Sequence, residues 1–244
     1  VDFNKLRVSR MVDGKKIDKM LPDRSHVQEL MQAGGLKAGK TIVITSPGEA
    51  PDQVDSAARL YWTLKAYGES NMALLDGGNA AWLAAGLPVS TVKEPIERGD
   101  WQAAELRRDW LAELGDVEHA LGKKKVQLID ARPLPQYLGL SFKKPAVTAG
   151  GHLPRARNFP TDVRTRTSGI AQMFLRADEY RAVLKAQGID PLRPSITYCN
   201  TGHMAAGAWF VQSEILGARE VRLYDGSMHE WTTLGHPVQG LGDS

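Results

Sequence analysis

The sequence predicts an α/β protein built as two tandem units, each a parallel sheet flanked by helices. Three observations carry that prediction. Short apolar runs alternate with helical periodicities, strand then helix then strand, which is the pattern of parallel strands joined by crossover helices. A stretch of the first half, Leu75-Asp76-Gly77-Gly78-Asn79-Ala80-Ala81-Trp82 followed by Gly86-Leu87-Pro88-Val89, returns as Tyr224-Asp225-Gly226-Ser227-Met228-His229-Glu230-Trp231 followed by Gly235-His236-Pro237-Val238. Gly68 and Gly217 fall on the same offset of about 149 residues, so the chain reads as a duplication. Finally, 244 residues at 42% hydrophobic content suffice for one large core or two smaller ones.

Residues 1–20 are charged and irregular. Ser25-His26-Val27-Gln28 reads as a capping box opening a short helix that stops at Gly34-Gly35. Residues 41–45 form a buried-strand run, followed by a loop rich in Pro and Gly. Ala57, Ala58, Leu60, Tyr61 and Leu64 recur at helical spacing, and Gly68 closes that helix. Residues 72–75 are the next strand, broken by Asp76-Gly77-Gly78, and a small helix runs to Ala85. Pro95, Gly99 and alternating charges without a period mark residues 93–108 as a linker between a unit at 1–92 and one at 109–244.

In the second unit Asp109 caps a helix carrying Trp110, Leu111, Leu114 and Val117, and residues 126–130 are a strand. A long loop reaches Pro160. A helix over 178–187 stops at Gly188. Residues 195–198 form a short buried strand, residues 204–216 an apolar helix stopped by Gly217, and residues 221–224 a strand. The turn Asp225-Gly226 and a short helix around Trp231 finish the unit. Asp225 and Ser227 are expected to anchor that turn. Trp82 and Trp231 stand at equivalent places and are both expected in the core.

Composition removes several classes of function. A net charge of +3 is too mild to argue for nucleic acid. No apolar run approaches the roughly 20 residues of a membrane span. One cysteine excludes an internal disulfide and a thiolate metal cluster. The chain opens at Val1 without a methionine, so removal of something upstream is expected. That places export to the periplasm ahead of the cytoplasm and leaves the compartment open.

The lone cysteine is where chemistry gathers. A single Cys is most simply a small buried hydrophobe. Cys199, however, stands between the 195–198 strand and the following helix, where the first backbone N–H groups lack intrahelical partners and the dipole is positive. That setting favours a thiolate, and Gly202 lets the loop Cys199-Asn200-Thr201-Gly202-His203-Met204 turn tightly around whatever the sulfur carries. The first half offers Thr45-Ser46-Pro47-Gly48-Glu49 in the same place. It has no thiol, and Glu49 repels anions, so the first unit is expected to be inactive support. Aligned this way, Val1-Asp2-Phe3 meets Asn158-Phe159-Pro160, and the first unit lacks the counterpart of strand 126–130. A parallel sheet missing that strand would expose a buried edge, so upstream residues, about 30 or more, are expected to have been cleaved or trimmed or to form a separate chain packed here.

At this point the residues resemble the two-domain rhodaneses, the thiosulfate and 3-mercaptopyruvate sulfurtransferases. Asp130-Ala131-Arg132, leading through Tyr137-Leu138-Gly139 to Gly151-His152-Leu153-Pro154, is similar to the family's first signature. Cys199-Asn200-Thr201-Gly202-His203-Met204 is similar to its Cys-x-x-Gly-x-x active loop, and Tyr224-Asp225-Gly226-Ser227 with Trp231 to its C-terminal signature. The resemblance implies two rhodanese-like domains, the second catalytic. It implies that Cys199 takes the outer sulfur of a small anionic donor as a persulfide and passes it to a thiophilic acceptor, cyanide or a thiol. No cofactor is implied beyond that covalent intermediate. Loop amides from Asn200 to Met204 would stabilise the anionic sulfur, and an Asp130–Arg132 pair would brace the loop.

Departures from the family bear on the donor. Thiosulfate-type loops often carry basic residues after the cysteine, where Asn200 and Thr201 are neutral. Mercaptopyruvate-type loops have Gly or Ser there and a small residue or Thr at the end, where this chain has Met204. The family's arginine before the aromatic-x-Gly element is Gln136. Lys143, Lys144 and Arg155 are the candidates for the missing positive charge. His203 either binds the donor anion, tunes the persulfide or faces solvent. A cysteine phosphatase would need Cys-x5-Arg, but Ala205 occupies the arginine's place. A sulfur carrier without turnover is the remaining rival.

Overall fold

A computed structural model describes residues 2–123 and 125–241, so Val1 lies outside it. After a short 3-10 turn at Phe3–Leu6, β1 (Val8–Val12) and β2 (Lys15–Met20) form an antiparallel hairpin. The expected irregular stretch thus carries a 3-10 turn and a hairpin within residues 3–20. The reason is Asp13-Gly14, both at positive φ, a two-residue turn whose twist suits a hairpin. Helix α1 (Arg24–Ala33) is capped by Asp23, whose carboxylate accepts from His26 N–H at 2.8 Å; Ser25 lies inside the first turn.

Next come β3 (Ile42–Ile44), α2 (Pro51–Ala66), β4 (Met72–Leu74) and α3 (Gly78–Ala84). Strands β3 and β4 pair in parallel. The stretch expected as a linker carries no regular element, yet it adheres to the first half. Trp101 and Ala103 are buried, and Trp101 N–H donates to Leu36 O at 3.1 Å.

The second half opens with β5 (Leu111–Ala112) and then α4 (Leu114–Gly122). The helix expected from Asp109 thus begins later, because Glu113 and Asp116 form a reciprocal capping box there. Trp110 precedes that strand and Leu111 belongs to it. The chain continues through β6 (Gln127–Asp130), α5 (Leu134–Tyr137), β7 (Arg157–Asn158), a hairpin of β8 (Thr165–Ser168) and β9 (Ala171–Phe174), and α6 (Ala177–Ala186). It ends with β10 (Ser195–Tyr198), α7 (His203–Phe210) running into a wider turn at Val211–Ile215, β11 (Val221–Tyr224) and α8 (Ser227–Thr233).

The main sheet has five parallel strands in the order β5-β11-β10-β6-β7, with β10 central and buried throughout. Side chains alternate across it. Leu128, Ile196, Tyr198 and Tyr224 enter one apolar layer with Trp231 and Met228. Ile129, Leu223 and Cys199 enter the other, with Trp209 of α7 and Tyr61 and Trp62 of α2. The first half therefore supplies one face of the second half's core. Close approach of α2 and α7 depends on Gly207, where a Cβ would stand 1.8 Å from Asp55 Oδ1. Asp55 is ion-paired to Arg164 at 2.8 Å. Burial still pushes its carboxyl up to about 6, against the pull of that guanidinium.

Two reciprocal contacts tie the halves. Leu21 N–H, after β2, donates to Asp225 Oδ2, and Phe174 N–H, in β9, donates to Asp76 Oδ1. Each hairpin thus reaches the other half at the equivalent aspartate. The two tryptophans also share a bond, Nε1–H to the carbonyl of Pro88 or Pro237, but not a fate. Trp231 is buried and Trp82 is 38% exposed, so Trp82 is not core. Val147 and Leu153, which cover the Trp231 layer, have no counterpart over Trp82 among the described residues.

Candidate active site

Cys199 follows the last residue of β10, and the chain enters α7 through Asn200, Thr201 and Gly202. Gly202 has φ +75°, and a Cβ there would meet Arg59 Nη1 at 2.6 Å and Asp225 Oδ1 at 2.8 Å. Gly202→Ala is therefore expected to lower the unfolding free energy by about 1–3 kcal/mol in urea titrations; a neutral result would refute the tightness of the loop.

All four loop carbonyls are taken from outside. Met228 N–H donates to Cys199 O at 3.0 Å and His229 N–H to Asn200 O at 2.9 Å. Arg7 Nη2 donates to Thr201 O, and Arg59 Nη1 to Gly202 O at 3.0 Å. The negative ends of the loop dipoles are thus drawn away from the sulfur. Ser227 Oγ accepts from both Cys199 N–H (3.1 Å) and Gly202 N–H (3.0 Å) and donates to Tyr224 O. The expected ring of amides is narrower than the sequence suggests, since Gly202 is committed to Ser227. The peptides of Asn200 and Thr201 and the opening of α7 keep their positive ends for an anion.

Cys199 presents no surface to bulk water, yet it forms part of the wall of a cavity of about 390 Å³. Asn200, Thr201, His203 and Met204 share that wall, so five of the loop residues expected to act together do meet there. Lys143 joins them from the long loop. Arg7, Lys19 and Asp52 complete the charged part of the lining. Burial, then Arg59, lowers the Arg7 guanidinium to about 10, so it remains charged at neutral pH. Beneath the loop, Asp225 pairs with Arg59 at 2.6 Å, both buried. Asp130 and Arg132, wholly buried, pair bidentately at 2.6 and 2.9 Å, and Arg132 also holds Gly151 O. That pair fixes the strand end beside the loop, through Ala131 N–H on Tyr198 O.

A family model described as a Rhodanese-like domain matches residues 113–234. A Haloferax volcanii protein provisionally named thiosulfate sulfurtransferase is 32% identical over 217 residues, covering 87% of this chain and 73% of the relative. The chain belongs to the rhodanese family. The 3-mercaptopyruvate sulfurtransferase of Rattus norvegicus is 28% identical over 225 residues, 90% of this chain and 72% of its own. Among solved structures, the anaerobic ergothioneine biosynthesis enzyme of Chlorobium limicola, in complex with trimethyl histidine, superposes with a TM-score of 0.79 at 20% identity. It is matched over 91% of this chain, which spans 56% of that longer one, and the likeness speaks to the fold.

In this rhodanese several expected site residues stand elsewhere. Lys144 lies over the Phe142 ring at 5.2 Å. Arg155 donates to Leu121 O and lines a separate cavity of about 550 Å³ with Arg157 and Arg193, away from the thiol. Gln136 adds no charge; its Oε1 accepts from Asn200 Nδ2 at 2.8 Å and orients that side chain. His203 does not face open solvent, nor is it a cation. Its Nε2 lies 3.2 Å from Ser56 Oγ and 3.1 Å from Asp52 O. Burial lowers it from 6.5 to about 4, with Arg7 and Arg59 adding to the effect against Asp52. Unfolded, the ring takes a proton near 6.5, so stability falls as pH drops from there toward 4. Denaturation at pH 7 and pH 5 should show the native chain losing about 2 kcal/mol more than His203→Gln; equal losses would refute the assignment.

Arg7, Lys19 and Arg59 were not legible as site residues. Asp13-Gly14 was the one signal for the hairpin that brings Arg7 and Lys19 in; for Arg59 the sequence holds none.

Proposed function

We propose that this rhodanese is a sulfurtransferase working through a Cys199 persulfide, built as two tandem units, 1–92 and 109–244, joined by 93–108. The observation that carries the reading is the loop itself, its carbonyls withdrawn and its only thiol on a cavity wall. The thiolate attacks the outer sulfur of thiosulfate, the sulfur–sulfur bond breaks, and sulfite leaves with the electron pair. Cyanide or a thiol then attacks the terminal sulfur of the persulfide and the thiolate returns. The attacking species is the thiolate form, and sulfite leaves without needing a proton, so this step calls for no general acid. With 3-mercaptopyruvate as donor, the same thiolate would attack its sulfur, the carbon–sulfur bond would break, and pyruvate would leave as its enolate, taking up the proton of the donor thiol.

Two features support the tandem reading. Gly48 and Gly202 both adopt positive φ at matching loops, and the hairpins make reciprocal contacts with Asp225 and Asp76. Steady-state conversion of thiosulfate and cyanide to thiocyanate and sulfite tests the activity, run in parallel with 3-mercaptopyruvate. Many turnovers per thiol support an enzyme. A single equivalent would favour a sulfur carrier, and no heavier, reducible adduct on Cys199 by intact mass would end both readings.

A further inference from the structure

The active loop of this chain holds no Lys or Arg of its own, yet among the described residues the cavity beside its thiol is lined by three cations, Arg7, Lys19 and Lys143, against one carboxylate, Asp52. Arg7 is committed to the loop carbonyl of Thr201 and to Lys19 O, which fastens the β1–β2 hairpin over the site. The lysines differ. Neither has a carboxylate within ion-pair distance among the described residues, whereas nearby Lys16 is paired to Asp18 at 3.0 Å. Partial burial, then Lys143, holds the Lys19 ammonium below the usual lysine range, so the two charges feel each other.

The backbone adds an independent observation. Lys19 sits at φ +66°, a left-handed conformation in which glycine would be unstrained and a long side chain is rare. That conformation falls where the β1–β2 register shifts between Val8 and Arg10, a bulge that leaves the Lys19 side chain exposed at the rim of the thiol cavity.

We propose that Lys19 from the first half and Lys143 from the second form a two-sided clamp for the oxyanion end of the sulfur donor, and so set its specificity. The shared ligand chemistry is a small molecule carrying sulfur next to a sulfonate or carboxylate. Two like charges held at one mouth repel unless an anion lies between them, and a compact, hydrated ammonium suits a mobile oxyanion better than a fixed fork. This rests on the sulfurtransferase reading, but it can fail separately.

The test uses methanethiosulfonate reagents. The Cys199 thiolate bonds to their sulfenyl sulfur, the sulfur–sulfonyl bond breaks, and methanesulfinate leaves with the electron pair. The 2-sulfonatoethyl reagent should label Cys199 about tenfold faster than the 2-aminoethyl one, with the methyl reagent between them. In Lys19→Gly/Lys143→Ala that ratio should fall toward one while the methyl rate stays unchanged. The KM for an anionic donor should rise about tenfold with kcat little altered, and a larger rise for thiosulfate than for 3-mercaptopyruvate, or the reverse, tells sulfonate from carboxylate.

Lys19→Gly alone should melt at or above the native temperature, since glycine relieves the backbone. A lower melting point would make Lys19 structural and overturn the proposal, as would an unchanged labelling ratio in the double variant. Charge-selective labelling with no turnover of any donor would leave the clamp standing and sink sulfur transfer.

Discussion

Cys199→Ser is expected to lower thiocyanate formation by at least about a thousandfold. A serine hydroxyl does not ionise near neutral pH and cannot hold a sulfane sulfur in the reversible bond that the cycle needs. The same substitution should leave the fold almost untouched. The loop is braced through the backbone of Cys199, its N–H on Ser227 Oγ and its O on Met228 N–H, and neither contact involves the thiol. The stability change should stay within about 2 kcal/mol, the cost of one buried hydroxyl. Continued turnover by a folded serine variant would remove the catalytic assignment.

Arg59→Met is expected to destabilise the chain by about 3–5 kcal/mol and to take most of the activity with it. Arg59 is wholly buried, stacks on Trp62 at 4.7 Å, pairs with Asp225 and donates to Gly202 O. Removing it strands a buried carboxylate and an active-loop carbonyl at once. Asp225→Asn added to Arg59→Met should recover part of the stability by removing the orphaned charge, while the loop brace stays absent and activity stays low. Urea titrations and turnover on both variants read this directly. A double variant no more stable than Arg59→Met would show that the pair is not the source of the loss.

Much of this arrangement was written in the chain. The β10–loop–α7 passage was legible because four buried residues, a cysteine and a glycine at positive φ obey local rules of strand and helix end. The repeat was legible because both copies keep the same turn after β4 and β11. What stayed hidden is of another kind. The β1–β2 hairpin is mostly exposed and charged, so it has no apolar alternation to reveal it, and only the Asp13-Gly14 turn marks it. Trp82 was misplaced because its copy, Trp231, is buried by a loop that lies outside the repeated motif. Arg155 and Lys144 shared a loop with Lys143, yet only Lys143 reaches the thiol cavity; side chains a few residues apart on an irregular loop have no fixed phase. Arg59 could not have been found, since a mid-helix arginine looks like a solvated one until its tertiary partners are known.

Under the proposed mechanism, the crossed hairpins divide ownership of the reaction. The lone thiol sits on one half of the molecule, while the hairpin that lines its cavity, with Arg7 and Lys19, grows from the other. Substrate taste can therefore drift through changes in an exposed two-stranded arm without disturbing the reacting centre. A half that carries no thiol keeps, in this way, a vote on which molecules the thiol meets.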